Sequence, residues 1–131
     1  MTGRVAKSSV AASAAIVLIA AGAPLALRGV EGGRWEISRS ASGAGASRLC
    51  VADVTALAQY EHRGQACTRM VLSDKGDETV IHYTCPAGDF GRTSITVITP
   101  RSLRLKTHGI HGRGPFDYTL YARRVGNCPS H

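Results

Sequence analysis

This chain of 131 residues contains no Cys-x-x-Cys pair, no Gly-x-Ser-x-Gly turn and no run of five basic residues, and each absence removes a class of function. Its four cysteines are 17, 18 and 43 residues apart, without the close spacing by which thiolates share a zinc ion. Lacking the strained nucleophile turn, it carries no local signature of acyl transfer or hydrolysis. The 16 Lys and Arg outnumber the nine Asp and Glu but stand mostly singly, as on the solvated faces of strands, so nucleic acid is not expected as a partner. Gly109 to Gly114 spells Gly-x-x-Gly-x-Gly, yet it does not join a strand to a helix in a βαβ unit, so it reads as a loop that turns and not as a phosphate cradle.

One long apolar stretch is present, at the start. Arg4 and Lys7 precede an uncharged segment from Val10 through Ala21 that continues to Leu27, the layout of a secretory signal. Its apolar centre is shorter than the roughly 20 residues that cross a bilayer. Residues 1–26 are therefore read as a signal peptide, with a retained N-terminal anchor as the alternative and membrane contact only in that case. No cysteine ends the leader, which argues against a lipid anchor. Residues 27–131 then form a single small β-rich domain with 14 basic and nine acidic groups.

Four cysteines in a short exported chain imply two disulfides. Of the three possible connectivities, the expected one is sequential: Cys50 with Cys67, and Cys85 with Cys128.

The patterning after the leader is mostly of period two. Trp35 and Ile37 alternate with Glu36 and Ser38 after a Gly32-Gly33 break, and Ser40 to Ser47 reads as a flexible connection. Asp53 is placed to cap a short helix ending near Tyr60, with Val54, Leu57 and Ala58 on one face. From Cys67 onward, Met70 and Leu72 lead into the turn Ser73 to Asp77. Ile81, Tyr83 and Cys85 then share a face. Ile95 and Val97, Leu103 and Leu105, and Phe116, Tyr118 and Leu120 repeat the alternation between turns at Pro86 to Asp89, Thr99 to Ser102 and Gly109 to Gly114. The fold class expected is mainly β: an antiparallel meander sheet, curved or half-barrel, with one short helix and two disulfides.

Gly33-Arg34-Trp35-Glu36-Ile37, Cys50 ahead of the helix, Cys67, a hairpin ending at Cys85, and the closing Ala122-Arg123-Arg124-Val125-Gly126-Asn127-Cys128 together resemble the exported bacterial proteins grouped as family 3617 of the domains of unknown function. The likeness covers residues 32–128. Members often carry a Met- and Gly-rich stretch between the tryptophan strand and the first cysteine; here that stretch is short and has no methionine. The resemblance implies a periplasmic or envelope location and a β-rich fold, and brings no activity and no catalytic residues.

Two function classes remain. The first is a non-enzymatic envelope module binding an apolar, lipid-like molecule or a protein partner, with Trp35, Tyr83, Phe116 and Tyr118 as the candidate ligand face. The second is a metal-binding or hydrolytic protein using His82, His108 and His111, with His131 a further imidazole. His108 and His111 straddle a strand end and a loop with no carboxylate nearby in sequence, so neither a metal nor a cofactor is expected, and the first class is preferred. Arg123 and Arg124 fall on opposite faces of one strand, which predicts one solvated guanidinium and one packed or paired.

Overall fold

The computed structural model describes residues 2–14 and 23–130. The centre of the expected leader, residues 15–22, and His131 lie outside these residues. No helix among those described is long and apolar enough to cross a membrane.

Seven strands form one antiparallel sheet: β1 (Gly33–Ser38), β2 (Ser47–Val51), β3 (Thr68–Lys75), β4 (Glu78–Thr84), β5 (Phe90–Thr99), β6 (Ser102–His111) and β7 (Gly114–Gly126). Their spatial order is β2-β1-β7-β6-β5-β4-β3. Five consecutive strands make the expected meander, and the β1–β2 hairpin joins it along β7. The sheet is open, with β2 and β3 as its two edges.

A nine-residue 3-10 helix, Val54–His62, connects those edges and crosses the inner face, touching β2, β4, β5 and β6. Asp53 caps it as expected, its carboxylate accepting from the Thr55 N–H at 2.9 Å. Val54, Leu57 and Ala58 are all buried. The helix runs two residues past the expected end, because a break in helical geometry at Gln59 (φ −104°, ψ 36°) lets both Gln59 and His62 turn inward. Thr93 on the sheet floor fastens it by donating to the Ala58 carbonyl at 2.6 Å.

The inward positions stack in rows across four strands. Thr79, Ile95, Leu105 and Leu120 make one row, and Ile81, Thr93, Thr107 and Tyr118 the next. Ile81, Ile95, Leu103, Leu105 and Leu120 are buried as their period requires, whereas Val97, Phe116 and Tyr118 are only partly covered. Leu25–Leu27 forms a short 3-10 turn whose Leu27 enters the core. The Asp74 carboxylate accepts from the Leu25 and Ala26 N–H groups at 2.6 and 3.0 Å. Packing thus begins before residue 27, inside the segment assigned to the leader.

Three expectations need correction. The disulfides are Cys50–Cys128 and Cys67–Cys85, not the sequential pairs. Register explains both. Thr68 faces Thr84 across the β3–β4 hairpin, so Cys67 and Cys85 face each other at its open end. Arg34 of β1 lies between Cys50 of β2 and Gly126 of β7, so the chain leaving β7 reaches back over β1 to Cys50. Secondly, Ser47–Val51 is an edge strand, β2, that the sequence reading left unassigned; of the expected connection Ser40 to Ser47 only the last residue belongs to it. Thirdly, the glycine-rich loop shrinks to a turn at Gly112 and Arg113. Gly109 lies within β6, paired with Gly91 and Phe116, at a position where a Cβ would collide with the Phe90 carbonyl and crowd Gly91 and the Phe116 ring.

All four cysteines are paired, which marks an oxidising compartment.

Candidate functional site

Two features stand out: a groove along the helix and a polar cluster at one end of the sheet. The groove, about 680 Å³, opens between the helix, β2 and the start of β3. Leu49, Val51, Ala56 and Leu57 supply its apolar surface, and Gln59, Tyr60, Arg63 and Arg69 its polar rim. Arg69 donates to the Gln59 side chain at 2.9 Å, while the Arg63 guanidinium lies 4.0 Å from the centre of the Tyr60 ring.

The cluster grows from the row Tyr83, Gly91, Gly109, Phe116. With no side chain at Gly91, the Tyr83 ring lies flat against β5, where a Cβ would collide with it. That leaves room for the helix end. His62 fills it with a side chain that is 0% exposed, its Nδ1 2.8 Å from the Tyr83 hydroxyl and its Nε2 3.2 Å from Asp89 Oδ2. Asp89 lies in the turn after β4, where the Gly112 N–H donates to both its carboxylate oxygens at 3.1 Å. That backbone bond, working against partial burial and helped by His62, holds the Asp89 carboxyl below the usual carboxylate range. An ionised Asp89 accepts from His62 Nε2–H, which leaves Nδ1 to accept the Tyr83 hydroxyl proton. Burial, reinforced by the charges of Glu61 and Asp89, pushes the Tyr83 phenol well above its ordinary value and keeps that proton in place.

His111, at the end of β6, lies beside His62 with ring centres 4.5 Å apart and planes tilted by 45°. Its Nδ1 lies 3.0 Å from one Glu61 oxygen, and the Tyr118 hydroxyl donates to the other. Burial acts to raise the Glu61 pKa, but the bonds from Tyr118 and His111 outweigh it and hold the value down. Tyr118 is pushed up, by burial first and then by Glu61. The Arg39 guanidinium covers the Tyr118 ring at 3.9 Å. Among the described residues, His62, Asp89 and His111 could hold a metal, each offering one donor atom within 4.8 Å of the others.

The candidate ligand face divides. Tyr83, Phe116 and Tyr118 meet at this cluster, with Tyr83 fully buried and Phe116 and Tyr118 ring centres 5.8 Å apart. Trp35 pairs with Arg124, eight positions further along β7, and is buried at the opposite end of the sheet with its indole N–H donating to the Glu31 carbonyl. Of the candidate histidines among the described residues, His111 alone joins the cluster. His82 and His108 flank Arg92 in a row on the outer face. Arg124 packs with its Nε donating to the Gly32 carbonyl at 3.0 Å, while Arg123 stays exposed, the division expected of them. Glu61, His62 and Asp89 escaped the sequence reading: Asp89 read as a turn residue, and 27 residues separate it from His62.

Neither the curated proteins nor the solved structures contain a match to this chain. The family of proteins of unknown function DUF3617 matches residues 30–128, nearly the whole folded domain, with all four cysteines inside the match. The four cysteines, the tryptophan strand and the closing arginine strand thus lie within one matched segment, and the chain belongs to the DUF3617 family.

Proposed function

We propose that this chain is a periplasmic, non-enzymatic module, exported on its N-terminal signal, that binds an amphipathic anionic small molecule in the groove between the helix, β2 and β3. The groove itself carries the reading: its volume falls in the range of small-molecule sites, its surface is apolar, and two arginines stand at its rim. An acyl chain would lie along Leu49, Val51 and Leu57 while its head group meets Arg63 and Arg69. The two disulfides, placing the fold in an oxidising compartment, and the charged-then-apolar leader support export.

Titration of the mature protein with a long-chain fatty acid, a lysophospholipid and a neutral long-chain alcohol, followed by melting temperature and Trp35 fluorescence, tests this. The anionic amphiphiles are expected to saturate at one equivalent, Ala56→Trp to block them by filling the groove, and Arg63→Ala to weaken them about 10-fold while sparing the alcohol. An Ala56→Trp variant that binds as the wild type does would overturn the reading.

A protein partner is the second reading, favoured by one observation. Edge strand β3 exposes Met70, Val71 and Leu72 beside unpaired backbone groups, the surface on which a partner strand can add to the sheet. Crosslinking from Val71 in envelope extract tests it, and capture of a partner that a Val71→Lys variant loses is the supporting result.

A further inference from the structure

The His62–Asp89 bond accounts for two residues of the polar cluster, while His111, held by Glu61, stands beside them without bonding to either. A second imidazole brought to 4.5 Å from the first, beside a carboxylate, is an arrangement that ordinary core packing does not need. Each ring has its Nδ1 engaged, His62 by the Tyr83 hydroxyl and His111 by Glu61, so Nε2 is the nitrogen each ring can offer an ion, that of His62 on the side where it now meets Asp89 Oδ2. This is the way proteins hold metal-ligating imidazoles: the far nitrogen is fixed by a carboxylate or hydroxyl, which sets the tautomer and aims the near one. Glu61 is itself fixed by Tyr118, and Asp89 by the Gly112 N–H.

We propose that His62, Asp89 and His111 bind one divalent transition-metal ion. One donor atom from each lies within 4.8 Å of the others, and His62 Nε2 and Asp89 Oδ2 are already 3.2 Å apart. Donors on a tetrahedral ion sit roughly 3.5 Å from one another, so His111 has about 1 Å to travel. Its side chain is 47% exposed and can make that move by pivoting on its Glu61 bond, whereas the His62 side chain is 0% exposed. Two imidazoles and one carboxylate favour Zn²⁺, Co²⁺, Ni²⁺ or Cu²⁺ over Mg²⁺ or Ca²⁺, which prefer all-oxygen shells. All four thiols are tied up in disulfides, so soft Cu⁺ finds no thiolate. When the metal takes His62 Nε2, that ring stays neutral by carrying its proton on Nδ1, and the Tyr83 hydroxyl accepts from it. Three protein ligands leave the fourth position to water or to an incoming group from the exposed side.

The site is independent of the groove reading and has its own readouts. Untagged mature protein with intact disulfides, stripped with chelator, is titrated with Zn²⁺ and Mg²⁺ by calorimetry and native mass spectrometry, and with Co²⁺ by visible absorption. One Zn²⁺ per chain, no competing Mg²⁺ and the intense absorption of tetrahedral Co²⁺ are expected. His111→Ala and Asp89→Asn should abolish the one-equivalent step. Glu61→Gln should weaken it about 10- to 100-fold, and the outer-face His82→Ala/His108→Ala pair should leave it unchanged. His111 lies at the surface, and the melting temperature of metal-free His111→Ala checks that the fold persists. Absence of saturable binding in the wild-type protein, or a step that survives His111→Ala but disappears in the outer-face pair, would overturn the proposal.

Discussion

Gly91 has no room for a side chain, because the Tyr83 ring occupies the space where its Cβ would stand. The Tyr83 hydroxyl in turn meets buried His62, so displacing the ring disturbs the whole cluster. Gly91→Ala is therefore expected to cost about 1–3 kcal/mol by overpacking, read from denaturant melts; a midpoint equal to wild type would contradict this geometry. Glu61 adds an acid dependence. Its folded pKa lies below its unfolded value, so its contribution is fully present above the ordinary carboxylate range and is lost as pH falls through the lowered value. In metal-free protein, Glu61→Gln should flatten the acid limb of melting temperature against pH, and an unchanged limb would argue against the Tyr118–Glu61–His111 linkage. At this scale the sequence was informative where period two governs: Ile81, Ile95, Leu103, Leu105 and Leu120 are buried because alternation alone selects a face. It was silent about His62 and Asp89, which meet only through the path of the helix and the turn after β4.

Hairpin register decides the disulfides. The β3–β4 hairpin was legible in the sequence, and following its pairing outward from the turn leads to Cys67 opposite Cys85. The sequential expectation failed because it weighed cysteine order and not register. Cys50–Cys128 was hidden further, since it depends on β1 lying between β2 and β7, a topology that no local pattern encodes. The two bonds close loops of very different span, 78 and 18 residues. Chain-entropy reasoning gives contributions of about 4.5 and 3 kcal/mol. Replacing Cys50 and Cys128 together by Ser should then lower stability by roughly 1 kcal/mol more than replacing Cys67 and Cys85. Non-reducing peptide maps check the pairing directly: a Cys50 peptide joined to Cys67 would refute it. The helix was legible because Asp53 caps it and Val54, Leu57 and Ala58 share a face. Its extension to His62, which the cluster depends on, rests on the break at Gln59, for which the sequence holds no signal.

Over the whole molecule, one helix bridging the two edges of an open sheet does two things at once. Its middle lines a groove against β2 and β3, and its end delivers Glu61 and His62 to the far end of the sheet. The mainly-β build and the two disulfides were legible from composition and period. The groove was not, because it is made by elements that meet across the seam and not by any run of residues. Trp35 lies at the other end from Tyr83, so the aromatic face inferred from the sequence splits into a core anchor and part of the polar cluster. The central claim is that the groove holds a small amphipathic molecule. Native mass spectrometry of the protein isolated from the envelope of its own cells tests it most directly. The account expects a bound mass well above that of one metal ion, retained by the wild type and absent from Ala56→Trp; a bare polypeptide mass in both, or the same adduct in both, would contradict it.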